Sequence, residues 1–193
     1  DPVDYVEMRR STFGSDLTMN LARITKGRDL PAAGFESRAL QALELAAQDY
    51  CCFMNDIFSY QKEIEFEGEV NNIVLVLQKF LDVGKDEALV HANNLMTSRM
   101  QQFEHVLAED IPLLFAELDG KAYRALLAYI EGLKDWMVGI LEWHQITRRY
   151  PEWFLRKHAH APTSVLGGFT GPRGLGTEVA RLLPELARTL RGA

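Results

Sequence analysis

Residues 39–63 read ALQALELAAQDYCCFMNDIFSYQKE. Ala, Leu, Glu and Gln dominate the run, and no Gly or Pro interrupts the chain between Glu36 and Glu65. Strong helix formers without a breaker predict one long helix over 36–65. The end of that helix changes character. Asn55, Ser59 and Glu63 recur at every fourth position, and at about 100° per residue they share one narrow face. Such a line is either a solvated polar face or a set of ligands for a divalent cation. Amide, hydroxyl and carboxylate oxygens are hard donors that suit Mg²⁺ or Mn²⁺ rather than zinc. A single carboxylate leaves such an ion open to waters and phosphate oxygens, the usual habit of Mg²⁺. Lys62, next to Glu63, offers a point charge to the same phosphates.

Working outward, the pattern stays helical. Val3, Val6, Met8, Phe13, Leu17 and Leu21 recur at roughly helical spacing over 2–24, with Gly14 as a break. TKGRDLPAAG is a turn-rich connection and EGEVNN ends the long helix. IVLVLQKFL is β-branched but does not alternate and has no partner strand, so a buried helix is expected there. DVGKD reads as a loop, with Asp86 as the cap of a helix over 87–107. A short helix is expected over 111–117 and a long one over 121–149, with Ala122, Leu126, Tyr129, Leu133, Met137, Ile140 and Trp143 on its apolar stripe. Two parts follow: 1–155 as the helical domain, and 156–193 as a Gly/Pro-rich linker with a weak helix over 177–190. The absence of credible strands makes the class all-α.

Composition narrows the function classes. The chain has 193 residues, 47% of them hydrophobic and 25% charged, as in an ordinary globular domain. A net charge of -6 speaks against a nucleic-acid partner, which needs a basic surface. No apolar stretch reaches the roughly 18 residues of a membrane span, and DPVDYVEMRR lacks the features of a signal peptide. Adjacent Cys51 and Cys52 read as small core residues in a reducing cytoplasm.

The string N-D-x-x-S-x-x-K-E at 55–63, emerging from a long apolar helix, resembles the second metal-binding motif of class I terpene synthases. Arg9, 46 residues before Asn55, is at the offset of that family's diphosphate-sensing arginine, and Arg149-Tyr150 in WHQITRRY resembles its C-terminal Arg-Tyr pair. MRRSTFGSDLTMNLAR, NDIFSYQKEIEFEGEVNNIVLVLQ, MTSRMQQFEHV and WMVGILEWH are similar to the C-terminal domain of the bacterial germacradienol/geosmin synthases. The resemblance covers about residues 3–150 and implies the C-terminal portion of a class I terpenoid synthase α-helical bundle. It further implies that Asn55, Ser59 and Glu63 hold Mg²⁺ within a three-ion cluster, and that Arg9, Lys62, Arg149 and Tyr150 contact a diphosphate. The substrate would be an isoprenoid diphosphate or germacradienol, which the family's C-terminal domain converts to geosmin with release of acetone. Phe53 or Phe58 could line a carbocation cavity by cation–π attraction, or simply pack in the core.

The sequence also departs from the family pattern. The family's first metal motif is aspartate-rich and lies on a facing helix, yet no Asp-Asp pair occurs here; DVGKDE at 82–87 reads as a solvated turn. Asp1 therefore reads as the start of a C-terminal portion whose partners include missing N-terminal helices or a domain of the same protein, with this portion alone inactive. The alternative is a catalytically incomplete helical module with a structural or interaction role. His105 and His144 read as structural histidines, His158 and His160 as part of a solvated linker, and Arg148 as a solvated helix end. Trp136 and Trp143 have core spacing first and cavity-wall spacing second. Arg10 competes with Arg9 for the sensing role, since the two point about 100° apart.

Overall fold

The computed structural model describes residues 1–115 and 118–158, and every element among them is helical. Helix α1 (Pro2–Thr12) starts with a proline whose missing N–H costs nothing in a first turn. The Asp1 carboxylate caps it, accepting from the amides of Val3 and Asp4. Gly14 then takes φ +86°, and the chain restarts as α2 (Ser15–Thr25). This is the break expected within 2–24. After the four-residue α3 (Ala32–Phe35) comes α4 (Arg38–Tyr60), capped by the Ser37 hydroxyl on the Leu40 amide.

The long helix predicted over 36–65 exists but is not uniform. From Gln61 to Glu67 it widens into a π-helix, which Gly68 ends in the left-handed region at φ +67°. IVLVLQKFL is helix α5 (Ile73–Leu81), with the Asn72 side chain accepting from the Val74 amide. Its first turns are buried, but Phe80 and Leu81 are exposed. Helix α6 (Lys85–His105) begins after Gly84, so Asp86 sits inside the first turn and does not cap it. There it faces the helix dipole favourably. A second π turn, Val106–Asp110, runs straight into α7 (Ile111–Phe115). Helix α8 (Gly120–Ile146) is capped by Asp119 and stops three residues earlier than expected. Arg148, Arg149 and Tyr150 therefore follow the helix and do not lie on it. Pro151 leads into α9 (Glu152–His158). The expected linker beyond it and the helix over 177–190 lie outside the described residues.

Helix α4 is the axis of the packing, touching α1, α5, α6, α7 and α8. Its first half joins Met19, Leu30, Leu126, Tyr129 and Leu133 in one core. Its second half joins Tyr5, Ile73, Val74 and Leu77 in another, through Phe53 and Tyr60. A helix covered on nearly every side must neutralise whatever charge it carries. Asp49, buried, pairs with Arg10 at 2.7 Å and Arg99 at 3.0 Å. Glu44 pairs with Arg23 and accepts from the Tyr129 hydroxyl at 2.5 Å. Cys51 and Cys52 are buried free thiols, as expected. No helix among the described residues is long and apolar enough to cross a membrane.

Candidate metal site

The last turns of α4 carry Asn55 and Ser59, and the π turn carries Lys62 and Glu63. Facing them is the C-terminal half of α1. The Arg9 Nη2 donates to Asn55 Oδ1 at 2.9 Å and to Asp56 Oδ1 at 2.9 Å, with Nε reaching the same Asp56 oxygen at 3.2 Å. Arg10, one residue on, turns instead to Asp49 and Glu7. The structure therefore separates the two arginines: Arg9 meets the Asn55 face, and Arg10 ties α1 to the middle of α4.

Asp56 is the hub beneath this face. It is fully buried, and its Oδ2 accepts from the Tyr5 hydroxyl and from the Ile73 amide. Burial pushes its carboxyl upward, while Arg9, Tyr5 and Ile73 pull it back toward the ionised form. Asn72 completes the floor. Its Nδ2 donates to the Asp56 carbonyl at 2.7 Å and to Glu63 Oε2 at 3.1 Å, so one amide holds the start of α5 and the Glu63 carboxylate together. Burial raises the Glu63 pKa, and the Asn72 contact and the nearby Ser59 hydroxyl act against it.

Two buried hydroxyls in this region have no hydrogen-bond partner: Ser59 Oγ and Tyr150 Oη. A buried polar group left unpaired is costly and needs an explanation. Tyr150 reaches the site from the segment after α8, its ring stacked on His144 at 5.6 Å and 7°, and burial pushes its pKa up to about 12. His144 is itself buried, hydrogen-bonded through Nδ1 to the Ile140 carbonyl at 2.7 Å and through Nε2 to Asn55 Nδ2 at 3.1 Å. Burial lowers its pKa, helped by Arg149. It is a satisfied histidine, as its helical position suggested, but the group that satisfies it is the candidate ligand.

Other expectations resolve less favourably. Lys62, only 11% exposed, is ion-paired to Glu67 within the π turn. Arg149 is exposed, its backbone amide 3.4 Å from the Thr147 hydroxyl. Phe53 is a core residue, whereas Phe58 is half-buried beside the His144 ring at 5.2 Å. Trp136 packs against the first core, but Trp143 is 43% exposed, edge-on to His144 and Tyr150. His105 is exposed, the His158 side chain and His160 lie outside the described residues, and DVGKDE is largely exposed, its first three residues in a turn and its last three opening α6. Sequence reasoning missed Tyr5, Asp56, Asn72 and the Asn55 contact of His144. Tyr5 sits one turn before Arg9 on the same face, which was the available signal.

The donor set fits a hard divalent cation. Asn55 Oδ1, Ser59 Oγ and Glu63 are oxygen donors, and the unpartnered Ser59 hydroxyl is explained by an ion that would take its lone pair. Among the described residues no three His, Cys, Asp or Glu side chains converge on a metal site, so the single carboxylate would need phosphate oxygens or water to complete coordination. A cleft of about 360 Å³ between α2 and α4, lined by Asp16, Arg23, Glu44 and Gln48, holds none of these residues.

Comparison with known proteins gives the family of the chain. The family described as terpene synthase family 2, C-terminal metal binding, matches residues 1–102. The chain is 31% identical over 150 residues to sesquiterpene synthase 1 of Postia placenta, spanning 78% of this chain and 43% of that protein. Against pentalenene synthase of Streptomyces arenae it is 31% identical over 170 residues, spanning 86% of this chain and 50% of that protein. The solved structure of wild-type cucumene synthase superposes with a TM-score of 0.65 at 26% identity, covering 76% of this chain and 50% of that one. The chain thus spans half or less of the length of these relatives. Matched over more than half of its length, the chain belongs to terpene synthase family 2, in its C-terminal metal-binding part.

Proposed function

We propose that the intact protein is a Mg²⁺-dependent class I terpene cyclase acting on an isoprenoid diphosphate, with farnesyl diphosphate as the substrate. The observation that carries this reading is Arg9 lying on Asn55 Oδ1 while the Ser59 and Tyr150 hydroxyls are buried without partners. Asn55, Ser59 and Glu63 would hold one Mg²⁺ of a three-ion cluster. Bound there, the metal would supply Lewis-acid polarisation of the diphosphate oxygens.

The chain's own groups do the rest. Arg9, already desolvated and aimed at Asn55, is placed to turn its free donors toward a diphosphate. Tyr150 Oη donates to the same anion, and its ring closes the site over His144. Arg149 and Lys62 add positive charge; Lys62 must first leave Glu67, so its contribution depends on the anion outcompeting that pair. Phe58 and Trp143 offer ring faces to a developing cation.

The product we assign is geosmin, formed from germacradienol and one molecule of water with release of acetone. The support is the likeness of residues 55–78 and of WMVGILEWH to the C-terminal domain of germacradienol/geosmin synthases. The test is incubation of the intact protein with farnesyl diphosphate and Mg²⁺, followed by gas chromatography. Geosmin is expected. Germacradienol alone overturns the product, another cyclic sesquiterpene overturns the subfamily, and no terpene overturns the class. If Mg²⁺ with diphosphate also fails to raise Tm, the non-catalytic module becomes the reading.

A further inference from the structure

Four groups form one hydrogen-bonded line across the site: Arg9, Asn55, His144 and the Ile140 carbonyl. The contacts are Arg9 Nη2 to Asn55 Oδ1 at 2.9 Å, Asn55 Nδ2 to His144 Nε2 at 3.1 Å, and His144 Nδ1 to Ile140 O at 2.7 Å. The two ends are chemically unambiguous. A guanidinium can only donate, and a carbonyl can only accept. Every bond between them is therefore forced to run one way. Asn55 presents its oxygen to Arg9 and its amide N–H to His144; His144 accepts at Nε2 and carries its proton on Nδ1. The opposite amide flip would set N–H against N–H at Arg9 and oxygen against a lone pair at His144.

We infer that His144 is a positioning residue that fixes the flip of the Asn55 amide, so that its oxygen rather than its nitrogen is offered for coordination. This rests on reading Asn55 as a metal ligand. Only the amide oxygen can ligate a hard cation, and the amide nitrogen cannot. In the ligand-free site Arg9 and His144 orient the amide from both ends. Once Arg9 turns to an anion, His144 is the end that remains. Its ring is fixed on three sides: stacked under Tyr150, edge-on to Trp143 at 4.9 Å and 85°, and against Phe58 at 5.2 Å, with 3% of its surface exposed.

The test uses the intact protein, with MgCl₂ and inorganic diphosphate as probes and the rise in Tm as readout. His144→Phe keeps the ring and its stacking but removes the acceptor. It is expected to raise the Mg²⁺ concentration giving half the maximal shift by roughly 10-fold, the lower end of what orienting partners of metal ligands contribute. His144→Gln, which retains an acceptor, is expected to recover part of that loss. In an Asn55→Asp background no flip needs fixing and a carboxylate oxygen would face the Nε2 lone pair, so His144→Phe is expected to cause no loss there and can only relieve that repulsion. An equal loss in both backgrounds, or none in either, overturns the inference. Nitrogen NMR of the wild-type imidazole tests it without any variant: a proton on Nε2 in the metal-free protein overturns it. If Asn55→Ala leaves the Mg²⁺ response unchanged, the metal-ligand reading itself fails and takes this inference with it.

Discussion

Ser59 Oγ lies buried beside the Glu63 carboxylate, which it helps to hold ionised, without a well-formed hydrogen bond of its own. Ser59→Ala exchanges support of Glu63 for relief of a poorly paired hydroxyl and is expected to shift the stability of the metal-free protein by less than about 1 kcal/mol. It should also abolish the extra Tm gained from Mg²⁺ and diphosphate. Thermal unfolding with and without the ions checks both halves. Arg9 and Arg10 make a second contrast at this scale. Arg9→Gln leaves the fully buried Asp56 without its counter-charge and should cost about 3 kcal/mol. Arg10→Gln leaves Asp49 still paired to Arg99, and about 1 kcal/mol is expected. Urea denaturation of the two variants orders them. The polar line of Asn55, Ser59 and Glu63 was legible from spacing alone, because a helix turns residue separation into direction. Of the two adjacent arginines the 46-residue offset favoured Arg9, but the partners that turn them apart, Asp49 and Asp56, lie on another helix where no local pattern shows them. His144, 89 residues from Asn55, was equally out of reach, because no local pattern records a contact made across the bundle.

Most helices follow from period and caps, and their ends are where the reading slipped. A π turn has no propensity mark in the sequence, since the same residues would hydrogen-bond one position closer in an α-helix. So the expected helices end plainly at Glu65 and Leu107, inside the π turns Gln61–Glu67 and Val106–Asp110. The start of α5 is better determined. The Asn72 side chain caps the helix at Val74, and its amide also holds the Asp56 carbonyl and Glu63. Asn72→Ala removes the cap, worth about 1 kcal/mol. It also strips a buried carbonyl of its donor, at about 1–3 kcal/mol. A loss of about 2–4 kcal/mol is expected from these two terms. Asn72→Asp keeps the cap but sets a carboxylate against Glu63, so it should recover little. Chemical denaturation of both variants decides whether the residue acts as more than a cap.

At the scale of the molecule, α4 belongs to two cores at once, and neither can melt while the other keeps α4 in place. Leu126 lies fully buried in the first and Ile73 fully buried in the second. Truncating either to alanine should cost about 2–5 kcal/mol. Both variants should lower the midpoint of one shared transition instead of splitting it, which calorimetry of the helical unit would reveal. This division was only half legible in the sequence: the stripe over 121–149 named Leu126, Tyr129, Leu133 and Met137 of the first core, but Val3, Met8, Leu17 and Leu21 of the stripe over 2–24 are exposed, and nothing marked that one helix served two clusters. The buried unpartnered hydroxyl of Tyr150 carries a further consequence. A screen for heat tolerance run without metal would reward loss of the Tyr150 hydroxyl, worth about 2–4 °C in a chain of this size. On the role proposed for Tyr150, the sturdiest survivors of such a selection would be the ones that had lost their hold on the diphosphate.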